Sequence, residues 1–334
     1  MKIIVDAFGG DNAPLEILKG CAQAIQEYDV DILLTGDEQE IRRVAKENDI
    51  SLNRMEIVHT TSVVTMEDHP TVVLKEKADS SMAVGLHLVT EGKGDAFVSA
   101  GNSGALTVGT TMIVKRAKGI KRVGFGAVAP SKTGFILLLD AGANVECRPD
   151  MLYQFGVMGS VYMEKVMGVS NPRIGLANVG EEEHKGSDLY KEAYQLLKKD
   201  SSLNFVGNVE GREMPSGVAD VIVADGFTGN MILKTYEGVA GLILSMLKDV
   251  FFKNMKNKLA AAVLQKDLNE LKAIMDYNET GGAPIMGATK PVFKAHGNSK
   301  ANTMKNAIRL TKEYVANNVV DIISQSIQGN IKGE

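Results

Sequence analysis

The amino-acid sequence predicts an α/β protein built on a mostly parallel sheet with helices on both faces. Near the N-terminus, apolar runs alternate with segments of helical periodicity, and this βαβαβ order is typical of parallel strands joined by crossover helices. A similar series returns in the second half of the chain. The predicted strands lie at 2–6, 30–35, 55–59, 96–98, 173–178, 203–206, 221–224 and 292–295. The helices between them are expected at 14–28, 38–48, 81–91, 151–167, 189–199 and within 301–328.

One feature interrupts the parallel pattern. The apolar runs 123–128 and 135–140 are joined only by 130–134, whose Pro-Ser-Lys-Thr-Gly sequence is typical of a turn. We therefore expect an antiparallel hairpin inside the sheet. The 334 residues allow two domains or one large α/β unit, and we expect a single unit with two lobes, at about 1–140 and 150–330. A long helical excursion over 229–276 exceeds an average helix, so we predict two helices that break near 252–256.

The bulk properties exclude several classes of protein. A net charge of −4 and a pI near 5.9 disfavour nucleic acid as a partner, because that would require a basic surface. The two cysteines, Cys21 and Cys147, form no CxxC motif, and neither a metal motif nor a cofactor signature is evident, so we expect no metal and no cofactor. The apolar run before Asp6 is too short for a signal peptide, and 231–252 carries four charges. The expected setting is the cytoplasm.

The stretch 95–111, DAFVSAGNSGALTVGTT, is the first candidate site. It predicts a short buried strand, a loop of small residues and a helix to about Lys118. Glycines let the backbone approach a ligand closely, and a helix N-terminus offers unpaired N–H groups to an anion such as phosphate. The alternative is a tight turn with an Asn or Ser cap and no ligand. The candidate phosphate-binding residues are Ser99, Gly101, Asn102, Ser103 and Gly104.

Polar loops also follow other predicted strands, and ligands bind at such strand ends in open α/β sheets. The loop after the first strand supplies Asp6, Asp11 and Asn12, which we expect to share a cleft with 99–104. Further loops lie at 178–186, 225–230, 281–284 and 296–298. No Ser or Cys nucleophile motif accompanies them, so we expect one bound substrate to attack another directly, with catalysis by positioning and electrostatics.

Lys185 is the main catalytic candidate, because a lysine between three glutamates and a glycine is unusual. Its ammonium would pair with phosphate or a developing oxyanion; alternatively, it is one member of a charged loop. The neighbouring His184 is a candidate proton acceptor, and Asp225 a polar anchor. Asn230 would hold a substrate oxygen or cap the long helix. His296, at a strand end, completes the set of candidate substrate-binding residues.

The apolar stretch 259–264 has no polar face and is flanked by lysines at 253, 256, 258 and 266. A solvated helix would keep a polar face there. Two interpretations stay open: helix packing in a homodimer, or docking on an anionic lipid surface. The candidate contact residues are Phe251, Phe252, Leu259, Val263 and Leu264.

Together these motifs resemble a known family. DAFGGDNAP, SAGNSGA, NVGEEEHKGSDL, ADGFTGN, GGAP and HGNSKANTMKNAI occur in this order over the whole chain, as in the bacterial PlsX phosphate acyltransferases. The resemblance implies a three-layer α/β/α fold related to phosphotransacetylase and to isocitrate and isopropylmalate dehydrogenases. It also implies a homodimer that transfers an acyl group from acyl-[acyl carrier protein] to inorganic phosphate, and a downstream membrane acyltransferase that uses the acyl phosphate for phospholipid synthesis.

Two other functions compete with the one that this resemblance implies. A pyridine-nucleotide dehydrogenase on a related fold would require an acidic metal-binding trio and an arginine cluster, and the sequence shows neither. A non-enzymatic acyl-chain sensor at the membrane would keep 251–264 but would have no use for several phosphate-type loops.

Overall fold

The structure is a computed structural model that describes residues 1–268 and 281–331. Its strands are β1 (Lys2–Asp6), β2 (Asp31–Gly36), β3 (Met55–His59), β4 (Ala96–Ser99), β5 (Gly124–Ser131), β6 (Gly134–Leu139), β7 (Arg173–Asn178), β8 (Asn204–Glu210), β9 (Val221–Val223), β10 (Ala283–Met286) and β11 (Val292–Lys294). Its α-helices are α1 (Leu15–Tyr28), α2 (Glu38–Glu47), α3 (Ser81–Thr90), α4 (Ser103–Gly109), α5 (Pro149–Lys165), α6 (Asp188–Lys199), α7 (Gly226–Phe252), α8 (Met255–Val263), α9 (Ala301–Ala316) and α10 (Val319–Ile331).

All these strands join one 11-stranded sheet in the order β3-β2-β1-β4-β11-β10-β5-β6-β9-β7-β8. The pairs from β3 to β11 are parallel, and so are the pairs from β6 to β8. The predicted mostly parallel sheet is therefore confirmed. The sequence missed β10, because its Gly-Gly-Ala-Pro start indicated only a loop.

The centre of the sheet is antiparallel. β10 pairs antiparallel with β11 and β5, and the predicted β5–β6 hairpin forms as expected. The two parallel halves consequently run in opposite directions. On β5, the partner of Leu139 is Gly126, and Phe125 pairs with Ile285 of β10. The last residue of β11, Lys294, pairs with the first residue of β10, Ala283, and the last residue of β6, Leu139, pairs with Gly126 of β5. The carboxyl ends of both halves therefore meet beside β5 and β10.

Two helix predictions differ in extent from the structure. The helix after Asn102 ends earlier than Lys118, because α4 widens into a π-helical turn, Thr110–Val114, and Lys115 then takes φ +70°. The long helical region breaks at the predicted place, where Asn254 caps α8 by accepting from the Asn257 amide at 3.0 Å. The remainder of that prediction, 269–276, lies outside the described residues.

Apolar side chains fill the space between the sheet and its helices. All four residues of β4 are buried, and Phe97 packs so closely on α3 that a Cβ on Gly85 would lie 2.2 Å from its ring. In contrast, α7 has no buried residue beyond Gly229. In the part of the chain that the structure describes, no helix is both long and apolar enough to cross a bilayer.

The burial of Phe97 gives a test of this core. Phe97→Ala should lower the free energy of unfolding by about 3–5 kcal/mol, because it removes a fully buried ring from the centre of the sheet. Phe135→Ala is the matched control, because Phe135 is 41% exposed in the β5–β6 hairpin. This substitution should lower the free energy of unfolding by less than about 1 kcal/mol. Urea unfolding of both variants measures the difference, and equal losses would contradict the packing described.

Candidate active site

Three loops from distant parts of the chain pack together at the end of β1, β4 and β11. A Cβ on Gly9 would lie 2.7 Å from both the Asp6 carboxylate and the Gly101 amide, so only glycine allows this approach. The Asp11 amide donates to the Gly297 carbonyl at 2.8 Å. The Asn12 side chain donates to the carbonyl of Asn298 at 3.0 Å. These contacts bring loops 6–12, 99–104 and 295–299 into one wall.

Asp6 fixes the geometry of the glycine loop from behind. Its carboxylate accepts from the Ser99 hydroxyl at 2.7 Å, and that hydroxyl oxygen accepts from the Gly101 amide at 3.0 Å. Asp6 and Ser99 are fully buried. Burial raises the pKa of Asp6, although the Ser99 hydrogen bond opposes that rise. This pair therefore positions the loop rather than facing the solvent.

Asn102 caps α4 and also ties down a second loop. Its Oδ1 accepts from the Ala105 amide at 3.0 Å, while its Nδ2 donates to the carbonyls of Thr65 and Asp68, each at 3.1 Å. The cap, which the sequence left as one of two interpretations, is thus present. Its consequence is that the 65–70 segment forms the rim of the same wall.

The opposite wall is organised by the buried carboxylate of Asp140. It accepts from the backbone amides of Phe125, Gly142, Ala143 and Asn144 at 2.7–3.1 Å. Burial raises the pKa of Asp140, and these N–H donors oppose that rise by stabilising its charge. The result is a rigid loop, 140–144, directly after β6.

Helix α7 starts against this loop. A Cβ on Gly229 would lie 1.9 Å from the Asp140 carbonyl oxygen, so glycine is required for the close approach. The Asp225 side chain caps the helix by accepting from the Thr228 amide at 2.9 Å, and it also accepts from the Tyr190 hydroxyl at 2.5 Å. These contacts place Asn230 beside Gly142.

Between the two walls lies a cleft of about 750 Å³. Five of the residues predicted from sequence line it: Asp11, Ser103, Gly104, Asn230 and His296. Others support the walls from behind: Asp6, Asn12, Ser99, Gly101, Asn102 and Asp225. Lys185 and His184 are not among the lining residues, and the Lys185 ammonium lies 3.9 Å from the Glu182 carboxylate.

Sequence reasoning missed Lys294, at the end of β11. Its side chain lines the cleft but is only 5% exposed, and its ammonium donates to the carbonyls of Ala100, at 3.2 Å, and Ala295. Burial lowers the pKa of Lys294 to about 8, while the charges of Asp11 and Asp6 oppose the shift. The available signal was a lysine within the otherwise apolar run 292–295.

His296 follows Lys294 by two residues and lines the same cleft. Its Nδ1 lies 2.7 Å from the Oδ1 of Asn298. Burial lowers the pKa of His296, and the nearby Lys294 charge lowers it further, so the imidazole is neutral near pH 7. At the mouth, Lys234 pairs with Glu237 at 2.8 Å. The cleft thus combines a buried cation, a neutral imidazole and amide and hydroxyl donors.

This arrangement can hold a small anion beside a polarised carbonyl. Among residues 1–268 and 281–331, no cluster of three or more His, Cys, Asp or Glu side chains could bind a metal.

The fold places the protein in a structural class. It superposes on a phosphotransacetylase from Streptococcus pyogenes with a TM-score of 0.65, over 95% of this chain and 94% of the other, at 15% identity. A Salmonella typhimurium structure, provisionally named 4-hydroxythreonine-4-phosphate dehydrogenase, gives a TM-score of 0.50 at 12% identity, covering 93% and 98% of the two chains. These similarities confirm the predicted relation to phosphotransacetylase and dehydrogenase folds.

The sequence comparison is more specific. Residues 1–322 match the family described as fatty acid synthesis protein. A phosphate acyltransferase from Acetivibrio thermocellus is 48% identical over 326 residues, which is 97% of this chain and 96% of the relative. The chain belongs to this PlsX family of phosphate acyltransferases and is an acyltransferase enzyme, as the sequence motifs predicted. The family assignment favours acyl transfer over the dehydrogenase and sensor alternatives.

The close contact of α7 with the opposite wall can be tested by adding one methyl group. Gly229→Ala should lower the free energy of unfolding by about 1–3 kcal/mol, because the new Cβ would overlap the Asp140 carbonyl and displace Asn230. It should also reduce acyltransferase activity.

Gly238→Ala is the matched control in the same helix. A Cβ there meets nothing within 4 Å, so alanine should raise helix stability by up to about 1 kcal/mol. Thermal unfolding and activity are measured for both variants. A Gly229→Ala protein as stable and active as Gly238→Ala would contradict the packing at the start of α7.

Proposed function

We propose that this enzyme transfers a fatty acyl group from acyl-[acyl carrier protein] to inorganic phosphate, which gives acyl phosphate for phospholipid synthesis. The observation that carries the proposal is the cleft itself. It places the buried ammonium of Lys294 and the hydroxyl of Ser103 on one wall, opposite Asn230 on the other. A small anion and a thioester carbonyl can be held between these walls at the same time.

The proposed reaction is a direct attack of bound phosphate on the thioester. A phosphate oxygen forms a bond to the carbonyl carbon, and the carbon–sulfur bond breaks as the carrier thiolate leaves and then takes a proton. Lys294 offsets the charge of phosphate, and the Ser103 hydroxyl donates to it. The Asn230 amide stabilises the tetrahedral oxyanion, and such donors typically contribute about 3 kcal/mol. The neutral His296 is placed to accept or return a proton.

The remaining predicted residues take supporting roles in this proposal. Asp6, Ser99, Gly101 and Asn102 hold the glycine loop, Gly104 lets phosphate approach it, and Asp11 and Asn12 join it to the His296 loop. Asp225 holds the start of α7. Lys185 stays a predicted catalytic cation and His184 a predicted proton acceptor, and neither is among the residues that line the cleft.

The exposed surface of α7 and α8 supports the two interpretations that the sequence left open. Phe252 is 61% exposed, Leu259 65% and Val263 85%, and none of the residues in α8 is buried. Exposed apolar groups of this extent indicate an interaction surface. We propose that Phe251, Phe252, Leu259, Val263 and Leu264 contact a second copy of the chain, an anionic membrane surface, or both. A cytoplasmic enzyme at the membrane would pass acyl phosphate directly to a membrane acyltransferase.

Lys294→Met tests the phosphate site, because methionine keeps the shape of the buried side chain and removes its charge. The KM for phosphate should rise about 10- to 100-fold, because the variant loses the binding free energy that a hydrogen bond to a charged group usually contributes. We expect a smaller effect for Lys185→Ala, since its ammonium lies outside the lining residues. Steady-state thioester consumption at varied phosphate measures both, and a larger rise for Lys185→Ala would assign the charge to that residue.

The pH dependence provides the internal control for this experiment. Because the pKa of Lys294 is about 8, its charge is present below that pH and is lost above it. Phosphate is already mostly dianionic there, so the KM for phosphate should rise above about pH 8 in the wild-type enzyme. The same profile should be flat in Lys294→Met. Parallel profiles would show that another group binds phosphate.

The membrane interpretation can be separated from dimer packing with one variant. Leu259→Glu combined with Val263→Glu should abolish sedimentation with anionic vesicles if the surface docks on lipid, because buried carboxylates are costly there. Analytical ultracentrifugation of the same protein reports its oligomeric state. Unchanged sedimentation with vesicles would remove the membrane interpretation, and an unchanged dimer would remove the packing interpretation at these residues.

A further inference from the structure

A strip of positive charge lies on the surface, with one end next to the 140–144 wall of the cleft. It comprises 115–122, with sequence KRAKGIKR, and Lys290 on the adjoining turn. Its six cations are Lys115, Arg116, Lys118, Lys121, Arg122 and Lys290. No carboxylate within the described residues forms a salt bridge to any of them, whereas the chain as a whole carries a net charge of −4. We call this surface the basic strip.

The basic strip is held rigidly by backbone contacts with neighbouring elements. The Ala117 amide donates to the Gly287 carbonyl at 2.9 Å, and the Thr289 amide donates to the Lys115 carbonyl at 2.9 Å. The Lys121 amide donates to Oε1 of Gln154, on α5, at 2.8 Å. The cationic side chains are therefore presented from a fixed backbone, which lowers the entropy lost on binding.

One end of the basic strip adjoins a wall of the cleft. Arg122 is followed by Val123, whose carbonyl accepts from the Asn144 side chain at 2.7 Å, in the loop that Asp140 organises. At the other end, Lys115 follows the C-terminal side of α4 and its π-helical turn, whereas the lining residue Ser103 is at the N-terminus of that helix. A macromolecule bound at the Arg122 end of the strip would therefore lie next to the 140–144 wall of the cleft.

We propose that the basic strip is the docking surface for the acidic carrier protein that delivers the acyl thioester. This inference rests on the proposed function, because it identifies where the donor of that reaction binds. Charge complementarity steers encounter and sets orientation, and a strip of unpaired cations on a net acidic enzyme selects an acidic partner. A membrane surface fits less well. The apolar residues within the strip, Ala117 and Ile120, are only 8% and 6% exposed, so the strip itself presents no apolar side chain that could insert into lipid.

The test is a charge reversal of two exposed lysines whose side chains make no described contact, Lys118→Glu combined with Lys121→Glu. The KM for acyl-[acyl carrier protein] should rise about tenfold or more, with kcat and the KM for phosphate retained. Raising the salt concentration should increase the same KM in the wild-type enzyme and have little effect in the variant, because screening weakens only the electrostatic part of docking. An acyl-pantetheine thioester, which lacks the carrier protein, should be used equally well by both.

Lys46→Glu combined with Lys93→Glu is the matched control, since it changes the net charge equally on exposed positions away from the strip. Circular dichroism and thermal unfolding confirm that each variant is folded. An unchanged KM for acyl-[acyl carrier protein] in an active Lys118→Glu/Lys121→Glu enzyme would overturn the docking proposal alone. Weaker sedimentation with anionic vesicles at an unchanged KM would assign the strip to lipid instead. A wild-type enzyme that consumes no thioester with phosphate would overturn the proposed function.

Discussion

The antiparallel pairing of β10 with β5 is the constraint on which the site depends. In a fully parallel sheet, all carboxyl ends would lie along one edge, and the loops after β4 and β6 would point the same way instead of towards each other. Here the direction reverses at the centre, so β11 and β6 approach from opposite sides and end over the same part of β5. The cleft is therefore enclosed by strand ends on two sides, which allows one wall to hold an anion and the other to face a carbonyl.

Two buried carboxylates give the walls their rigidity. Asp6 ends the buried strand β1, and Asp140 directly follows the buried strand β6. The carboxylate oxygens of both residues accept hydrogen bonds from loop donors and do not face the cleft. Burying a carboxylate is costly unless its lone pairs are satisfied, and satisfying them requires the surrounding loop to keep one conformation. The glycines at positions 9 and 229 then allow the backbones to approach. Rigid walls are what a reaction that relies on positioning requires.

Helix α7 connects the chemistry with the surface. Its first turn is locked against the cleft wall by Gly229 and the Asp225 cap, while its later turns and α8 expose large apolar side chains. The proposed product carries a long acyl chain that is poorly soluble in water, and the enzyme that makes it would benefit from an apolar exit close to the site. The basic strip lies on the α4 and α5 side, so the proposed docking of the donor does not compete with the surface formed by α7 and α8.

The sequence by itself determined the order of elements apart from β10, the β5–β6 hairpin, the break in the long helical region and the family, because periodicity, turn residues and contiguous motifs are local properties. It also located the glycine loops, since their composition reflects a local need for close approach. Only the tertiary structure decided which polar residues face the cleft. The side-chain amide of Asn102 donates to backbone carbonyls of 65–68, and Lys185 is not among the residues that line the cleft. Lys294 is buried beside Ala100, which is 194 residues away in the chain. Those outcomes depend on contacts between distant segments, and no local pattern in the chain encodes them.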